Sequence, residues 1–276
     1  MRKIIFIIMF FTASLRGAAI DLYRPIGARA AGMGRTSVCS RDLWALQNNP
    51  AGTAYSQGWQ LGLYVENQWM LKETAFKTVL ASCAIPGVGC LGLNVGQFGG
   101  SKYSENKFGL VYARDFGPYL QLGMQLDFLL LHWGEVYPDR RALGVTLGLQ
   151  SQLTERLRIG ACLFNPLPYK KVTNDSERLP SVMRWGLTFQ FTDTFVGQCE
   201  MEYDHSKQGI NLRGGFEYVV LDRLSLQAGV QHQPDLLSIG VGYRIRQLHI
   251  DVAAQWHQAL GASMQVGISC KLKGEK

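Results

Sequence analysis

The sequence predicts an all-β protein, a transmembrane antiparallel β-barrel of about 14 strands with a short N-terminal helical or looped plug. Three observations lead to this fold class. The chain begins like an exported protein, its later part alternates apolar and polar residues in many short segments, and no later segment has the length and apolarity of a membrane helix. The composition agrees, because 31 Gly, 9 Pro, 6 Trp, 11 Tyr and 13 Phe suit many strands joined by tight turns.

The first 19 residues have the three parts of a secretory signal peptide. Arg2 and Lys3 precede an apolar run from Ile4 to Ala13, and the small residues Gly17 to Ala19 follow. The run is shorter than the about 20 apolar residues of a spanning helix, although a retained anchor is the alternative. We therefore expect a signal peptide over 1–19, a plug over 20–57 and a barrel over 58–276, located in the bacterial outer membrane.

The charge of the chain indicates no nucleic-acid partner. The formal net charge of +7 falls to about +4 when the leader takes Arg2, Lys3 and Arg16 with it. No cluster of basic residues with interleaved aromatics occurs, and such a cluster would mark a nucleic-acid interface. The expected contact of the exterior is outer-membrane lipid.

Strands are predicted from alternation with a period of two. The clearest case runs from Leu224 to Gln231, where leucine, alanine and valine side chains share one face and serine, glutamine and glycine share the other. Pro-Gly, Gly-Gly and Pro-Asp pairs separate such segments, as turns require. The predicted strands are 58–66, 74–85, 88–97, 106–115, 118–132, 139–151, 155–164, 181–191, 194–203, 208–219, 222–232, 235–245, 247–256 and 262–272.

A water-soluble β-sandwich or barrel, with its apolar face inward, is the alternative to a membrane barrel. About fourteen strands in series exceed the about five or six strands of a mean sheet. Aromatic residues also recur near strand ends, where interfacial girdles lie. The polar face is predicted to line a lumen. The candidate lumen residues are Arg158, Glu217, Gln227, Arg244, Asp251 and Gln255, and 165–180 is predicted to be an exposed loop.

Residues 27–54 do not alternate and are predicted to form the plug. Closely spaced glycines allow close backbone approach, and the Asn-Pro-Ala-Gly sequence over 49–52 is a turn, because proline fixes one dihedral angle and glycine frees another. The sequence Gly-Ala-Arg-Ala-Ala-Gly-Met-Gly, a following aspartate and this turn resemble the start of PorV/PorQ-type outer-membrane proteins. The residues that carry the resemblance are Gly27, Arg29, Gly32, Met33, Gly34, Asp42, Asn49, Pro50, Ala51 and Gly52. Arg35 departs from the pattern, which usually continues with a small residue.

The resemblance extends over nearly the whole mature chain, through 157–162, 179–187, 212–218 and 227–230. It implies a fourteen-stranded barrel with its N-terminal segment inside. It also implies an accessory role in the type IX secretion system, with a secretion translocon, an exported cargo protein or a surface attachment complex as partner. The wider FadL-like barrel superfamily implies the alternative, a transporter of hydrophobic small molecules. A transporter of this kind is expected to show an apolar pocket behind the plug and a lateral kink in a strand.

The sequence points to no enzymatic chemistry and to no cofactor. Asp204, His205 and Ser206 are neighbours along the chain, which does not make them a catalytic triad. The five histidines lack metal-ligand spacing, and no Cys-x-x-Cys motif occurs. Cys83 and Cys90 flank a predicted hairpin turn, so a disulfide between them is a possibility, with two free thiols as the alternative.

Overall fold

The computed structural model describes residues 21–117, 119–134, 138–166, 179–205 and 208–272. The predicted signal peptide over 1–19 and most of the predicted 165–180 loop lie outside the described residues. Within the described ranges, no helix is both long enough and apolar enough to cross a membrane.

Fourteen antiparallel strands form one closed barrel, which confirms the predicted fold class. Each strand pairs with its neighbours in sequence, and the first pairs with the last, Trp59 opposite Leu272. The largest change from the predicted boundaries is at β5, which begins at Gln121 rather than at 118. The strands are β1 Trp59–Asn67, β2 Ala75–Ile85, β3 Gly89–Gly99, β4 Ser104–Asp115, β5 Gln121–His132, β6 Arg140–Gln152, β7 Leu157–Phe164, β8 Val182–Gln190, β9 Phe195–Asp204, β10 Gly209–Leu221, β11 Leu224–His232, β12 Leu236–Ile245, β13 Leu248–His257 and β14 Gly261–Leu272.

The connections distinguish the two ends of the barrel. At one end the turns are short, such as 86–88, 222–223 and 246–247, and at the other they include 68–74, 133–139 and 165–181. Bacterial barrels have short periplasmic turns and longer extracellular loops. The end with short turns is therefore periplasmic, and the N-terminal segment enters β1 from that end.

The outer surface of the barrel is apolar. On β1, Leu61 and Leu63 are 45% and 55% exposed, whereas the alternate residues Gly62 and Tyr64 are buried. Exposed aromatic residues encircle the periplasmic end: Trp59, Tyr112, Phe116, Tyr119, Phe189, Phe191, Tyr218 and Tyr243. An apolar band with an aromatic girdle faces lipid. The chain is thus a barrel of the bacterial outer membrane, and the water-soluble alternative, with its apolar face inward, is wrong.

The N-terminal segment fills the barrel, as the predicted plug requires. It contains α1 (Ala28–Gly32), α2 (Ala45–Asn48) and two 3-10 turns, Asp21–Tyr23 and Pro50–Tyr55. Its apolar residues form the main core with one sector of the wall. The buried members of this core are Leu22, Ile26, Ala28, Ala31, Leu43, Trp44, Leu46, Tyr64, Phe76, Leu80, Phe98, Val111, Leu129 and Ala253.

Of the two alternatives for Cys83 and Cys90, the structure has the free thiols and not the disulfide. The register places Cys90 opposite Ala84 and places Cys83 opposite Leu91. Cys90 is buried on the lumen side, whereas Cys83 has the parity of the lipid-facing residues. The two thiols therefore point to opposite faces of the wall, and a bridge would need the register to shift by one residue.

Candidate functional site

The plug contacts the barrel wall around its whole circumference. Helix α1 packs on β11 to β14, Val38 lies against β7 and β8, α2 packs on β3, and the Pro50–Tyr55 turn packs on β4 to β6. Leu43 completes the circle against β1. Within the described residues, the plug closes the lumen at this level.

Inward-facing glycines of the wall make room for the plug backbone. A Cβ atom at Gly160 would lie 2.7 Å from the carbonyl oxygen of Val38, and at Gly215 it would overlap the backbone of Met33. Separations below about 3 Å do not occur for real Cβ atoms, so either the plug or the wall would have to move. The wall glycines that contact the plug are Gly62, Gly92, Gly123, Gly148, Gly160, Gly186, Gly215, Gly229, Gly240 and Gly267.

Two glycines of the plug motif are required by their own backbone conformation. Gly27 has φ of 100° and its missing Cβ would lie 2.7 Å from the Trp44 ring. Gly34 has φ of 68° and passes against the carbonyl oxygen of Val230. A positive φ together with such close contacts can be adopted by glycine with little strain, whereas any residue with a Cβ atom would be strained. Gly32 and Met33 of the motif lie against the wall at Gly240 and Gly215.

The Asn-Pro-Ala-Gly turn is held by the side chain of Asn49. Its Nδ2 donates to the carbonyl oxygens of Val38, at 2.7 Å, and of Leu149, at 3.1 Å. Its Oδ1 accepts from the backbone N–H of Ala51 at 3.2 Å, and the N–H of Gly52 donates to the Asn49 carbonyl at 2.9 Å. One amide thus closes the turn and ties it to the wall.

The other polar residues of the motif form an ionic anchor on β10. Arg29 donates to Glu217 through two nitrogens, Nε to Oε1 at 2.8 Å and Nη2 to Oε2 at 2.5 Å. A second carboxylate of the plug, Asp42, lies 3.8 Å from Arg29 Nη1 and accepts from the N–H of Trp44 at 3.1 Å. The structure therefore brings together two motif residues, Arg29 at the start of α1 and Asp42 just before α2.

Arg35, the departure from the family pattern, forms a second anchor. Its Nη2 donates to Glu66 Oε1 at 2.5 Å, and its Nε donates to Gln255 at 3.0 Å. The fully buried Glu66 also accepts from the hydroxyl of Tyr64 at 2.9 Å and lies 3.6 Å from Arg24. Bidentate and charge-assisted hydrogen bonds of this kind are the strong ones in proteins.

Glu200 on β9 forms a third anchor that sequence reasoning missed. Its Oε2 accepts from the backbone N–H groups of Ser37 and Val38, at 2.7 and 2.8 Å. Its Oε1 accepts from Arg213 at 2.9 Å and lies 3.8 Å from Arg184. The sequence did offer one indication of this anchor, because these charged residues occupy positions of their strands that alternate toward the lumen.

Burial also affects the thiol that lies between the plug and the wall. Cys39 contacts β7 and β8, and its Sγ lies 3.3 Å from the carbonyl oxygen of Gly186. Burial and the negative charge of Glu200 raise the pKa of the Cys39 thiol to about 12. The thiolate, which is the reactive form, is therefore rare while the plug is in place.

A cavity of about 360 Å³ lies above the plug at the extracellular end, and we name it the vestibule. Its floor is Arg24, Pro25 and Arg35 of the plug, and its walls come from β9 to β14 and from the β1–β2 connection. The walls are Gln68, Trp69, Glu202, Asp204, Gly209, Ile210, Asn211, Arg213, Gln231, Gln233, Pro234, Leu236, Gln255, His257 and Ser263. Most of these residues are polar, but they present apolar as well as polar atoms to the cavity, so the vestibule differs from the wholly apolar pocket expected of a hydrophobic-compound transporter. The register irregularity of β10 lies between Val219 and Leu221, near the periplasmic end and away from the vestibule.

Comparison with known proteins identifies the fold. No protein-family model matches the chain, and no curated protein matches it. Among solved structures, the Ralstonia pickettii toluene transporter TbuX matches with a TM-score of 0.70 at 14% identity, over 92% of this chain and 100% of that chain. The P. putida toluene transporter TodX matches with a TM-score of 0.70 at 15% identity, over 92% and 100% of the two chains. A Pseudomonas aeruginosa FadL homologue matches with a TM-score of 0.69 at 14% identity, over 90% and 98%.

The chain has the fold of FadL-type outer-membrane barrels. The expected membership of the wider FadL-like group is thereby supported at the level of fold. The finer resemblance to PorV and PorQ finds no support in these comparisons. At such low sequence identity the likeness concerns architecture, so function has to be argued from the plug and the vestibule.

Proposed function

We propose that this chain is an outer-membrane uptake barrel for small molecules, in which the vestibule receives a solute from outside and the plug gates its passage. The observation that carries the proposal is the vestibule itself, open at the extracellular end and floored by plug residues. The FadL-type fold supports it, because the matched structures named above are described as toluene transporters.

Gating follows from the way in which the plug is held. The plug contacts the whole circumference of the wall, so a solute that crosses the barrel along its axis has to displace part of the plug. Of the three ionic anchors, the one between Arg35 and Glu66 includes a residue of the vestibule floor. A solute in the vestibule can reach Arg35 and its partner Gln255, whereas the Arg29–Glu217 anchor does not line this cavity.

The test is solute flux in proteoliposomes that contain the full mature chain. We expect slow, saturable flux through the parent protein and faster, unselective flux through Arg35→Ala, because that change frees one anchor of the plug. Arg223→Ala is the matched control, since Arg223 is an exposed residue of a periplasmic turn. If neither the parent protein nor Arg35→Ala conducts solute, the uptake proposal is rejected.

A second candidate function is the accessory role in protein secretion or surface attachment that the resemblance to PorV and PorQ implies. The observation that favours it is the closed lumen, because an adaptor needs no passage through the barrel. Affinity isolation of the tagged protein from gently solubilised outer membranes tests it. Recovery of a translocon or an exported cargo protein, together with absence of flux, would favour the adaptor over the uptake barrel.

A further inference from the structure

We infer that the vestibule binds a neutral, polyhydroxylated small molecule, the chemistry of a simple sugar, rather than a hydrocarbon. The inference rests on the proposed uptake function and names the class of solute that this function would serve. The volume of about 360 Å³ falls at the lower end of the range of small-molecule sites, about 300 to 1,000 Å³, and fits one compact ligand.

Residues that line this cavity carry buried polar atoms without hydrogen-bond partners, and these atoms lie beneath its surface. Among the described residues, Asn211 Oδ1 and Gln231 Oε1 accept no hydrogen bond, and Arg213 Nε donates none. The guanidinium nitrogens of Arg24, a side chain about nine-tenths buried in the floor, also make no hydrogen bond. Buried polar groups in native proteins are normally paired, and each exception calls for an explanation such as a bound water molecule or ion.

The unpaired atoms include both acceptors and donors. The amide oxygens of Asn211 and Gln231 need a donor, whereas the nitrogens of Arg24 and Arg213 need an acceptor. A hydroxyl group offers both, and several hydroxyls on one ring can serve groups from different strands. A hydrocarbon offers neither, so a polar side chain that turned toward it would stay unpaired.

The three arginines that line the vestibule each have a carboxylate neighbour within the protein. Arg35 bonds to Glu66, and Arg24 lies 3.6 Å from the same carboxylate. Arg213 lies 2.7 Å from Glu202 across the cavity wall. A ligand with a net charge would compete with these pairs, whereas a neutral ligand leaves them intact. The compensation therefore favours a neutral solute.

An aromatic side chain at the rim supplies the apolar contact that a sugar ring requires. Trp69 has φ of 50° and ψ of 26°, a left-handed conformation that is strained for a bulky residue. Its backbone N–H donates to Ser263 at 3.0 Å, which fixes the turn on β14. Gln233, on the opposite rim, also has a positive φ of 61°. Strained backbone of this kind concentrates at binding sites, and here it places an indole beside a polar cavity.

The test is calorimetric titration of the purified full mature chain with a panel of neutral mono- and disaccharides, and separately with toluene and with glycine. We expect saturable binding of at least one panel sugar. Asn211→Leu and Gln231→Leu should each weaken it by about tenfold or more, because each removes an acceptor without changing the side-chain size greatly. Gln97→Leu is the matched control, since Gln97 is exposed and lies on the outer face of β3.

Two replacements at separate strands keep the test valid if one variant fails to fold, and resistance of the folded barrel to heat in detergent identifies such a failure. Binding of toluene or glycine with no binding of any sugar would overturn the inference, as would absence of all binding. Flux measurements separate the sugar inference from the proposed uptake function. Sugar binding without flux of any solute would support the inference and reject uptake. Toluene flux without sugar binding would support uptake and reject the inference.

Discussion

Glu200 is the residue whose loss should release the plug most clearly. The carboxylate accepts from two plug N–H groups, those of Ser37 and Val38, and from Arg213, and it has 1% side-chain exposure. Glu200→Leu would leave a buried guanidinium without this partner, and removing one partner of a buried ion pair costs about 3–5 kcal/mol. Arg213 keeps Glu202 at 2.7 Å, so the lower end of that range applies to the ion pair. The two orphaned N–H groups add about 1–3 kcal/mol each where water does not reach them.

We therefore expect Glu200→Leu to lower the free energy of unfolding by at least about 3 kcal/mol. Urea unfolding in lipid vesicles, followed by tryptophan fluorescence, measures this change. Maleimide labelling of Cys39, in a variant that lacks the other cysteines, measures whether the plug has moved, and labelling should become faster. Glu155→Leu is the control, because Glu155 is exposed in a periplasmic turn. Parent-like stability and parent-like labelling in Glu200→Leu would refute the anchoring role.

Three further outcomes follow from the wall. Gly215→Ala should destabilise the protein by about 1–3 kcal/mol through overlap with the plug backbone, measured by the same unfolding assay, while Gly100→Ala, whose Cβ meets no atom closer than 3.9 Å, should not. Ile239→Arg should cost about 2–4 kcal/mol in a bilayer because its side chain, 62% exposed, faces lipid; a negligible cost would contradict the assignment of the outer face. Alkylation of the denatured chain without reductant should modify both Cys83 and Cys90, and a mass that shows either thiol protected would indicate a bridge.

The barrel was predictable from sequence because alternation is a local property. The segment from Leu224 to Gln231 shows its two faces within eight residues, and the strand β11 lies at Leu224–His232. Alternation shows which residues of a strand share a face, but it does not show which face meets solvent. The assignment to a membrane therefore also needed the number of strands and the position of the aromatic residues. The predicted lumen residues illustrate the result, since Gln227, Asp251 and Gln255 are buried inside, whereas Arg244 is exposed near the periplasmic end of its strand.

The anchors and the cysteine geometry were less predictable because they depend on exact register and on distant contacts. Ser37 and Glu200 are 163 residues apart, and parity alone does not tell at which height of the lumen the plug passes β9. The choice between a bridge and two free thiols depends on register in the same way. Three residues lie between the ends of β2 and β3, and this spacing pairs Cys90 with Ala84. An error of one residue moves a side chain from the lumen to the lipid.

The inward positions of the wall serve two purposes at two heights, and the difference explains where a solute can bind. At the level of the plug, wall glycines admit backbone, and charged side chains such as Glu200 and Glu217 are bonded to plug groups. Above the plug, Asn211 and Gln231 keep acceptors that no described group satisfies. Arg35 lies at the boundary, because it lines the vestibule and also bonds to Glu66. A solute that bonds to the upper groups and then competes for Arg35 or Gln255 would weaken the nearest anchor of the plug. Binding and gating would then be coupled through one side chain, and the coupling predicts that Arg35→Ala removes solute selectivity while flux becomes faster.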